Sequence, residues 1–410
     1  MDAANRVDWD PRLPAFSRAR RLELIALLGA LTAFAPLSID MYLPALPTIA
    51  RQFHASIGAA ELTLASFFTG FTFGQVLFGP LTDRFGRKGP LYAGTLLYIV
   101  ASLGCALSGG VAVLAALRFL QALGACAGMV IARASARDIF GPHEAPRIYA
   151  YMMLILGLAP LLAPFIGGYV LVWFGWRAIF LLQASIGVAA LVATFFRIPE
   201  SLAGARRELH PLKVLRDYAA LLVDRRFIGY VLAGAVSNAG LFAYITAAPH
   251  VFIDLFHVAP QHFGWFFGAN AIGLVTGAQV GARLLKDRSA THVLLAAQIV
   301  QWIAGLVLLT CALTGFGGMW GIAGGLFLFV ALNGAIMPIA AGCAMHHFGR
   351  MAGMASALLG ALQFGAAAIV STAIGNTSPD SAIPMAAVIA GCGIAGLAFN
   401  LLLRPKIAAG

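Results

Sequence analysis

The sequence predicts an all-α polytopic membrane protein with twelve transmembrane helices. Three observations carry this. Of 410 residues, 60% are hydrophobic and only 10% are charged, whereas a soluble globular chain carries about 25% charged residues. So little charge cannot cover a water-facing surface, which excludes a cytosolic enzyme, a disulfide-stapled secreted scaffold and a disordered chain. Apolar runs recur with regular breaks at close to the ~20 residues that cross a bilayer, and Lys and Arg gather in alternate breaks.

The runs lie at 22–46, 59–80, 89–109, 112–133, 147–172, 176–197, 227–249, 263–285, 290–314, 319–342, 351–374 and 381–403. The first is expected to stay in the protein as a span. It is longer than a signal-peptide core, and Pro44 and Pro47 follow it where a small-residue cleavage site would stand. Spans 2 and 3 are joined by a charged loop, and spans 6 and 7 by the longest internal loop, 198–226. That loop divides the chain into six spans plus six. The expected organisation is a basic tail (1–21), a six-helix bundle (22–197), the linker (198–226), a second six-helix bundle (227–404) and a short tail (405–410). A faint repeat accompanies it: SIDMYLPALP closes span 1 and YITAAPHVF span 7, while GQVLFGPLTDR closes span 2 and GAQVGARLLKDR span 8. Two such halves are the pattern of a duplicated transporter.

With the N-terminus inside, 24 of the 27 Lys and Arg residues fall on the cytoplasmic side. Only Arg51 and Arg177 fall outside, and Arg118 lies within a span. Arg350 is among the inside charges. This asymmetry places both termini in the cytoplasm. It also explains the net charge of +11 without a nucleic-acid partner, for which no module is visible. Cys105, Cys126, Cys311, Cys343 and Cys392 all sit in apolar segments and read as packing residues. His250, His257, His262 and the His346-His347 pair suggest a metal only by number, because no acidic or thiol partner stands at ligand spacing. No P-loop, nucleophile elbow or metalloprotease motif occurs, so neither an enzyme nor a self-contained ATP-driven pump is expected.

Between spans 2 and 3 runs Gly79-Pro80-Leu81-Thr82-Asp83-Arg84-Phe85-Gly86-Arg87-Lys88. It resembles the signature of the major facilitator superfamily between helices 2 and 3, a Gly followed by D-R-x-G-R-[KR]. Gly86 permits a tight turn. The resemblance implies that Asp83 caps the N-terminus of helix 11 near Met351, and that Arg84, Arg87 and Lys88 pair with acidic groups to hold an inner gate closed. Span 4 resembles the second motif of the superfamily, R-x-x-Q-G-x-G, through Arg118, Gln121 and Gly124, with Ala122 where Gly is frequent. Span 5 resembles the third, exporter-associated motif G-x-x-x-G-P-x-x-G-G through Gly157, Pro160, Ala163, Pro164, Gly167 and Gly168, with Ala163 in place of the central Gly. Its glycines and prolines also suit a close-packed, kinkable helix. Arg133, at the inner end of span 4, either snorkels to the interface or contacts the inner loops.

Together with Pro36-Leu37-Ser38-Ile39-Asp40-Met41-Tyr42-Leu43-Pro44, the VWFGW aromatics and the MAGMASALLGALQFG stretch, these motifs make the chain similar to the bicyclomycin-resistance (Bcr/CflA) family of twelve-helix drug:proton antiporters, from about residue 24 to 404. The resemblance implies the major facilitator fold of two pseudo-symmetric six-helix bundles. It also implies export of small drugs in exchange for protons by alternating access, in a bacterial inner membrane, by a monomer without cofactors beyond the proton gradient. Export of one endogenous metabolite and proton-coupled uptake are the alternatives. Gln363 stands where some relatives carry Arg.

Asp40 is read as the one acidic side chain well inside a span, where a carboxylate costs about 2.5–3.5 kcal/mol on insertion scales. Counted from the outer ends of spans 1 and 4, Asp40 and Arg118 lie at similar depth, and opposite charges in a low-dielectric interior attract. The expectation is an Asp40–Arg118 pair, either a proton-coupling device, as the family implies, or a static bridge between helices. Tyr42, Gln121, Asn238, Phe242, Tyr244, Asn270, Asn333 and Gln363 are candidates for the substrate cavity, although interhelical hydrogen bonds account for the polar ones equally well.

Overall fold

Proline and glycine positions decide where the long apolar runs break. The protein is described by a computed structural model over residues 17–201, 211–346, 348, 351–377 and 381–403. The first tail through residue 16, linker residues 202–210, His347, Gly349, Arg350, residues 378–380 and the end from 404 lie outside the described residues. Among the described residues the architecture is α-helical with no strand.

The first span is broken rather than straight. It comprises α1 (Arg18–Thr32), α2 (Phe34–Asp40), a 3₁₀ turn (Leu43–Ala45) and α3 (Leu46–Gln52), with a bend of 44° after α1. Pro36 has no N–H to offer the Thr32 carbonyl, and Pro44 none to offer the Asp40 carbonyl, so the ladder fails at both places. The span thus runs past the predicted end at residue 46. Then follow α4 (Ile57–Phe85), α5 (Lys88–Leu107), α6 (Val111–Phe174) and α7 (Trp176–Arg197). Spans 4 and 5 are the two arms of α6, interrupted at Gly141, whose φ of 75° is left-handed. After the linker helix α8 (Pro211–Val223) come α9 (Arg225–Pro249), a π-turn (His250–Leu255), α10 (Phe263–Leu284), α11 (Ala290–Thr314), α12 (Gly318–Met345), α13 (Ala352–Gly375) and α14 (Ile383–Leu403).

Among the described residues ten helices are long and apolar enough to cross a membrane, and the bent first span makes eleven. The remaining span is α10. It has 22 residues, but its glycines with Asn270 and Gln279 dilute its hydropathy. It is held by packing against α6 and α12. Exposed apolar side chains such as Phe73, Val100, Ile272, Ile369 and Leu402 make sense only against lipid. Tyr169, Trp173, Phe174, Phe316 and Trp320, exposed near helix ends, form an interfacial aromatic belt.

Small residues set the helix spacing, because lipid supplies no hydrophobic drive between helices. In the first bundle a side chain on Gly70 would strike the Phe119 carbonyl of α6, and one on Gly124 the backbone of Tyr98 on α5. In the second, Gly277 of α10 lies against the Ala331 carbonyl of α12, and Gly305 of α11 against Ala390 of α14. The bundles meet along two seams. One is α4 on α13, and the other is the second arm of α6 on α10. Exchanging the two halves turns each seam into the other, as a pseudo-two-fold repeat requires. At the outer end the seams are tight: Gly58 abuts the Gly375 carbonyl, and a side chain on Gly168 would come within 2.6 Å of the Pro260 carbonyl.

Candidate functional site

The interior of the first bundle holds a polar core built on Arg118. It is fully buried. Its Nη1 donates to the Ser38 carbonyl at 3.0 Å and to Gln121 Oε1 at 2.7 Å. Its guanidinium lies over the rings of Phe67 at 4.3 Å and Tyr42 at 4.6 Å. Gln121 passes the network on, donating to Ser102 Oγ and Gln183 Oε1, both at 2.8 Å. The Tyr42 hydroxyl meets Thr63 Oγ1 at 2.8 Å. Tyr42 and Gln121 therefore belong to the packing core of one bundle, not to a cavity between the two. Ser102 and Gln183, which complete the network, are polar residues inside apolar spans, a signal present in the sequence but unused there.

Asp40 does not pair with Arg118. It is 4% exposed, yet its carboxylate makes no hydrogen bond or ion pair among the described residues. The reason is angular. Residues two apart on a helix point about 200° apart, and the Ser38 side chain meets the Tyr98 hydroxyl of α5 at 2.9 Å, so the Asp40 side chain leaves the helix on the opposite side. Arg118 reaches α2 at the Ser38 carbonyl, two residues before Asp40.

At the middle of the α4–α13 seam four rings converge. Phe68 meets Phe242 at 4.8 Å, Phe71 meets Phe364 at 4.4 Å, and Phe242 meets Phe364 at 5.4 Å. Tyr244 stacks on Phe267 at 4.9 Å. Its hydroxyl has no partner in hydrogen-bonding geometry, although Asn270 lies beside it. Asn333 donates to Asn238 at 2.8 Å, joining α12 to α9. Among the described residues Gln363 reaches only the Met337 sulfur, at 3.9 Å. Among the second-half candidates, Phe242 stands in the seam cluster, while Asn333 binds Asn238 through its Nδ2 and leaves its Oδ1 buried without a partner.

The inner loop is organised by Arg87. Its Nε donates to Asp138 Oδ2 at 2.9 Å, and its Nη1 donates to Asp83 Oδ1 at 2.9 Å and Thr82 Oγ1 at 2.8 Å. Burial works against the charge of Arg87, but the two carboxylates outweigh it and hold the guanidinium above its usual pKa. Asp83 bonds Arg87, not the described first turn of α13. Arg84 and Lys88 form no ion pair among the described residues. They lie over the rings of Phe85 and Tyr92. The backbone N–H groups of Arg87 and Lys88 donate to Glu200 of the linker at 2.9 and 3.2 Å. Gly86, with φ of 86°, makes the turn and leaves room for that carboxylate, since a side chain there would meet Glu200 Oε2 at 3.0 Å. Tyr218 of α8 is raised in pKa by burial and then by the charge of Asp83, so the linker helix closes over the same loop. Glu200 carried no sequence signal of its own.

In span 5, Gly167 abuts the Met41 carbonyl and Gly168 the Pro260 carbonyl, while Ala163 is buried and Gly157, like Gly79 of α4, has open space. Pro160 and Pro164 lie within the continuous second arm of α6. Arg133 has its Nε buried without a partner, and its carbonyl accepts from the Tyr149 hydroxyl at 2.9 Å. His250 departs from expectation. It has an acidic partner, Asp254, with Nδ1 to Oδ2 at 3.0 Å. Glu61, on α4, is also buried, so Asp40 is not the one acid within a span. Among the described residues no three His, Cys, Asp or Glu side chains gather as a metal site.

The pattern of the Major Facilitator Superfamily matches residues 28–372. An uncharacterized MFS-type transporter, YdgK of Bacillus subtilis, is 34% identical over 94% of this chain and 97% of its own length. A bicyclomycin resistance protein homolog of Haemophilus influenzae is 32% identical over 90% of this chain and 92% of its own. Among solved structures, a D-xylose-proton symporter superposes with a TM-score of 0.73 at 17% identity, over 96% of this chain and all of that one; this likeness concerns the fold.

Proposed function

The chain belongs to the Major Facilitator Superfamily, a family of membrane transporters rather than enzymes, and from that premise we propose that it exports small drugs from the cytoplasm in exchange for protons. The observation that carries the proposal is Asp40. A buried carboxylate with no hydrogen-bonding or ionic partner is costly while charged, and protonation removes that cost. It sits where α2 breaks, in a protein whose α4–α13 seam carries a cluster of aromatic rings suited to flat apolar compounds. A proton held on Asp40 and a drug held at the seam are then alternative occupations, release of the one inward accompanying capture of the other, and each favours a different opening of the two bundles. The name of the Haemophilus influenzae relative supports drugs over a single metabolite as substrates. The same reading places a monomer in a bacterial inner membrane with both termini in the cytoplasm, driven by the proton gradient without a bound cofactor.

The test uses purified protein in liposomes with an inside-acid gradient and an internal pH dye. A panel of unrelated drugs is added outside, and wild type is compared with Asp40→Asn. Drug-dependent loss of the gradient in wild type and none in Asp40→Asn is the expected result. Protons moving in the same direction as the drug would overturn the exchange, and a response to one metabolite alone would replace the drugs as substrates.

A further inference from the structure

A groove on the lipid-facing side of the second bundle plays no part in the exchange at Asp40. α10 and α11 are consecutive, yet both pack on α12, and between them lies a cavity of about 360 Å³. Gly277 and Gly281 press α10 onto Ala331 and Ala335 of α12, which floor the groove. Val280 of α10 and Val300 of α11 form its rims, and both are exposed. From His292 to Val300 it follows α11 for eight residues, about 12 Å of helix.

Its two ends differ. Apart from Thr276, every lining residue is apolar until Arg288 and His292 at the inner mouth. A site that orients a polar drug needs polar groups along its walls. A groove that is apolar along its length and cationic at one end suits an acyl chain and its headgroup. Cations are in excess at that end. Arg283, Lys286 and Arg288 are exposed against one carboxylate, Asp287, and none of the three forms an ion pair among the described residues. His292 Nδ1 meets Ser289 Oγ at 2.6 Å, and its Nε2 has no partner among the described residues. The two copies of this loop differ by one clasp. Arg87 stands four residues after Asp83 and ties that loop to Asp83 and Asp138. Thr291 stands four residues after Asp287, so the second copy has no cation to close it, and Arg288 stays exposed.

We propose that this groove binds one acidic phospholipid of the inner leaflet, with an acyl chain along Ala331 and Ala335 and the phosphate held by Arg288 and His292. The Arg288 guanidinium is a planar fork that matches two phosphate oxygens. Basic pockets between helix ends on the cytoplasmic side are where acidic headgroups lie. A phosphatidylcholine brings the same phosphate but also a cation of its own, which Arg283 and Lys286 repel. The site is separate from the α4–α13 seam and is measured without drug or gradient, so failure of either reading leaves the other standing.

The test is lipid binding by the purified full chain in detergent, counted by native mass spectrometry during titration with dioleoyl phosphatidylglycerol or dioleoyl phosphatidylcholine. Wild type is expected to bind a first phosphatidylglycerol about ten-fold or more tightly than phosphatidylcholine, as a charge-assisted contact allows. Arg288→Gln is expected to lose that preference. Ala296→Trp, which fills the groove from an exposed position, is expected to weaken phosphatidylglycerol binding about ten-fold or more by displacing the chain. Arg226→Gln, which removes an exposed cation that does not line the groove, keeps wild-type binding. Equal affinity for the two lipids in wild type, or wild-type binding in Arg288→Gln or Ala296→Trp, overturns the proposal. So does an equal loss in Arg226→Gln, which would make surface charge alone the cause. Should Arg288→Gln or Ala296→Trp fail to fold, the other decides alone.

Discussion

Arg118 Nη1 binds the carbonyl of Ser38 at 3.0 Å, two residues short of the acid that charge alone would have chosen for it. A guanidinium in a bundle interior is answered here by a backbone carbonyl, an amide oxygen and three aromatic faces. Arg118→Leu would leave the Ser38 carbonyl and Gln121 Oε1 without that donor. An unsatisfied buried group costs about 1–3 kcal/mol. Arg118→Lys keeps the charge but loses the planar contact with the rings. Both variants are expected to melt earlier in detergent than wild type, Arg118→Leu by more. An unchanged melting temperature in both would count against this network.

Asp40→Asn should behave oppositely. No ion pair or hydrogen bond among the described residues is lost, and a neutral amide is cheaper to bury than a carboxylate. The variant is expected to melt at or above the wild-type temperature while failing in drug–proton exchange. A marked drop in melting temperature would mean that Asp40 holds the fold together.

The two acids on Arg87 should differ. Arg87 is 4% exposed, Asp138 16% and Asp83 41%. Asp138→Asn removes the better-buried partner, with a loss below the ~3–5 kcal/mol of a fully broken buried pair because Asp83 remains. Asp83→Asn removes a solvent-screened partner, worth about 1 kcal/mol or less. The expected order of destabilisation is Asp138→Asn over Asp83→Asn, read by thermal melting. Asp83→Asn should also raise the reactivity of cysteine probes placed on the inner loops. The reverse order of melting would show that Asp83 is the principal anchor.

Two glycines that touch carbonyls should give different phenotypes. Gly277 lies inside the second bundle, against Ala331, and Gly58 lies on the seam, against Gly375. Gly277→Ala is expected to lower the melting temperature, because that contact persists in every state of a rigid bundle. Gly58→Ala is expected to leave folding intact and keep the outer ends apart, read as increased labelling of a cysteine at position 376. A similar loss of stability in both variants would show that the seam does not move.

Much of the fold was legible along the chain. Length of apolar run gives span number, and the glycine-, proline- and charge-bearing motif at 79–88 locates the inner loop, because both depend on composition at a given depth. The broken first span was partly legible, since Pro36, Pro44 and Pro47 announce a failed ladder without saying which residue will face where. Glu61 was passed over because it stands near a span end, where an acid ordinarily reaches water.

What the sequence determined by itself is membership of a membrane and the depth of each polar residue in it, since the bilayer sorts side chains along one axis and the chain runs along that axis. What only the tertiary structure decided is direction around that axis. Arg118 turned to Ser38, Glu200 to the start of α5, and Asp254 to both His250 and Arg51. Direction depends on where glycines let helices touch and where prolines bend them, and it is settled by packing between segments far apart in the chain.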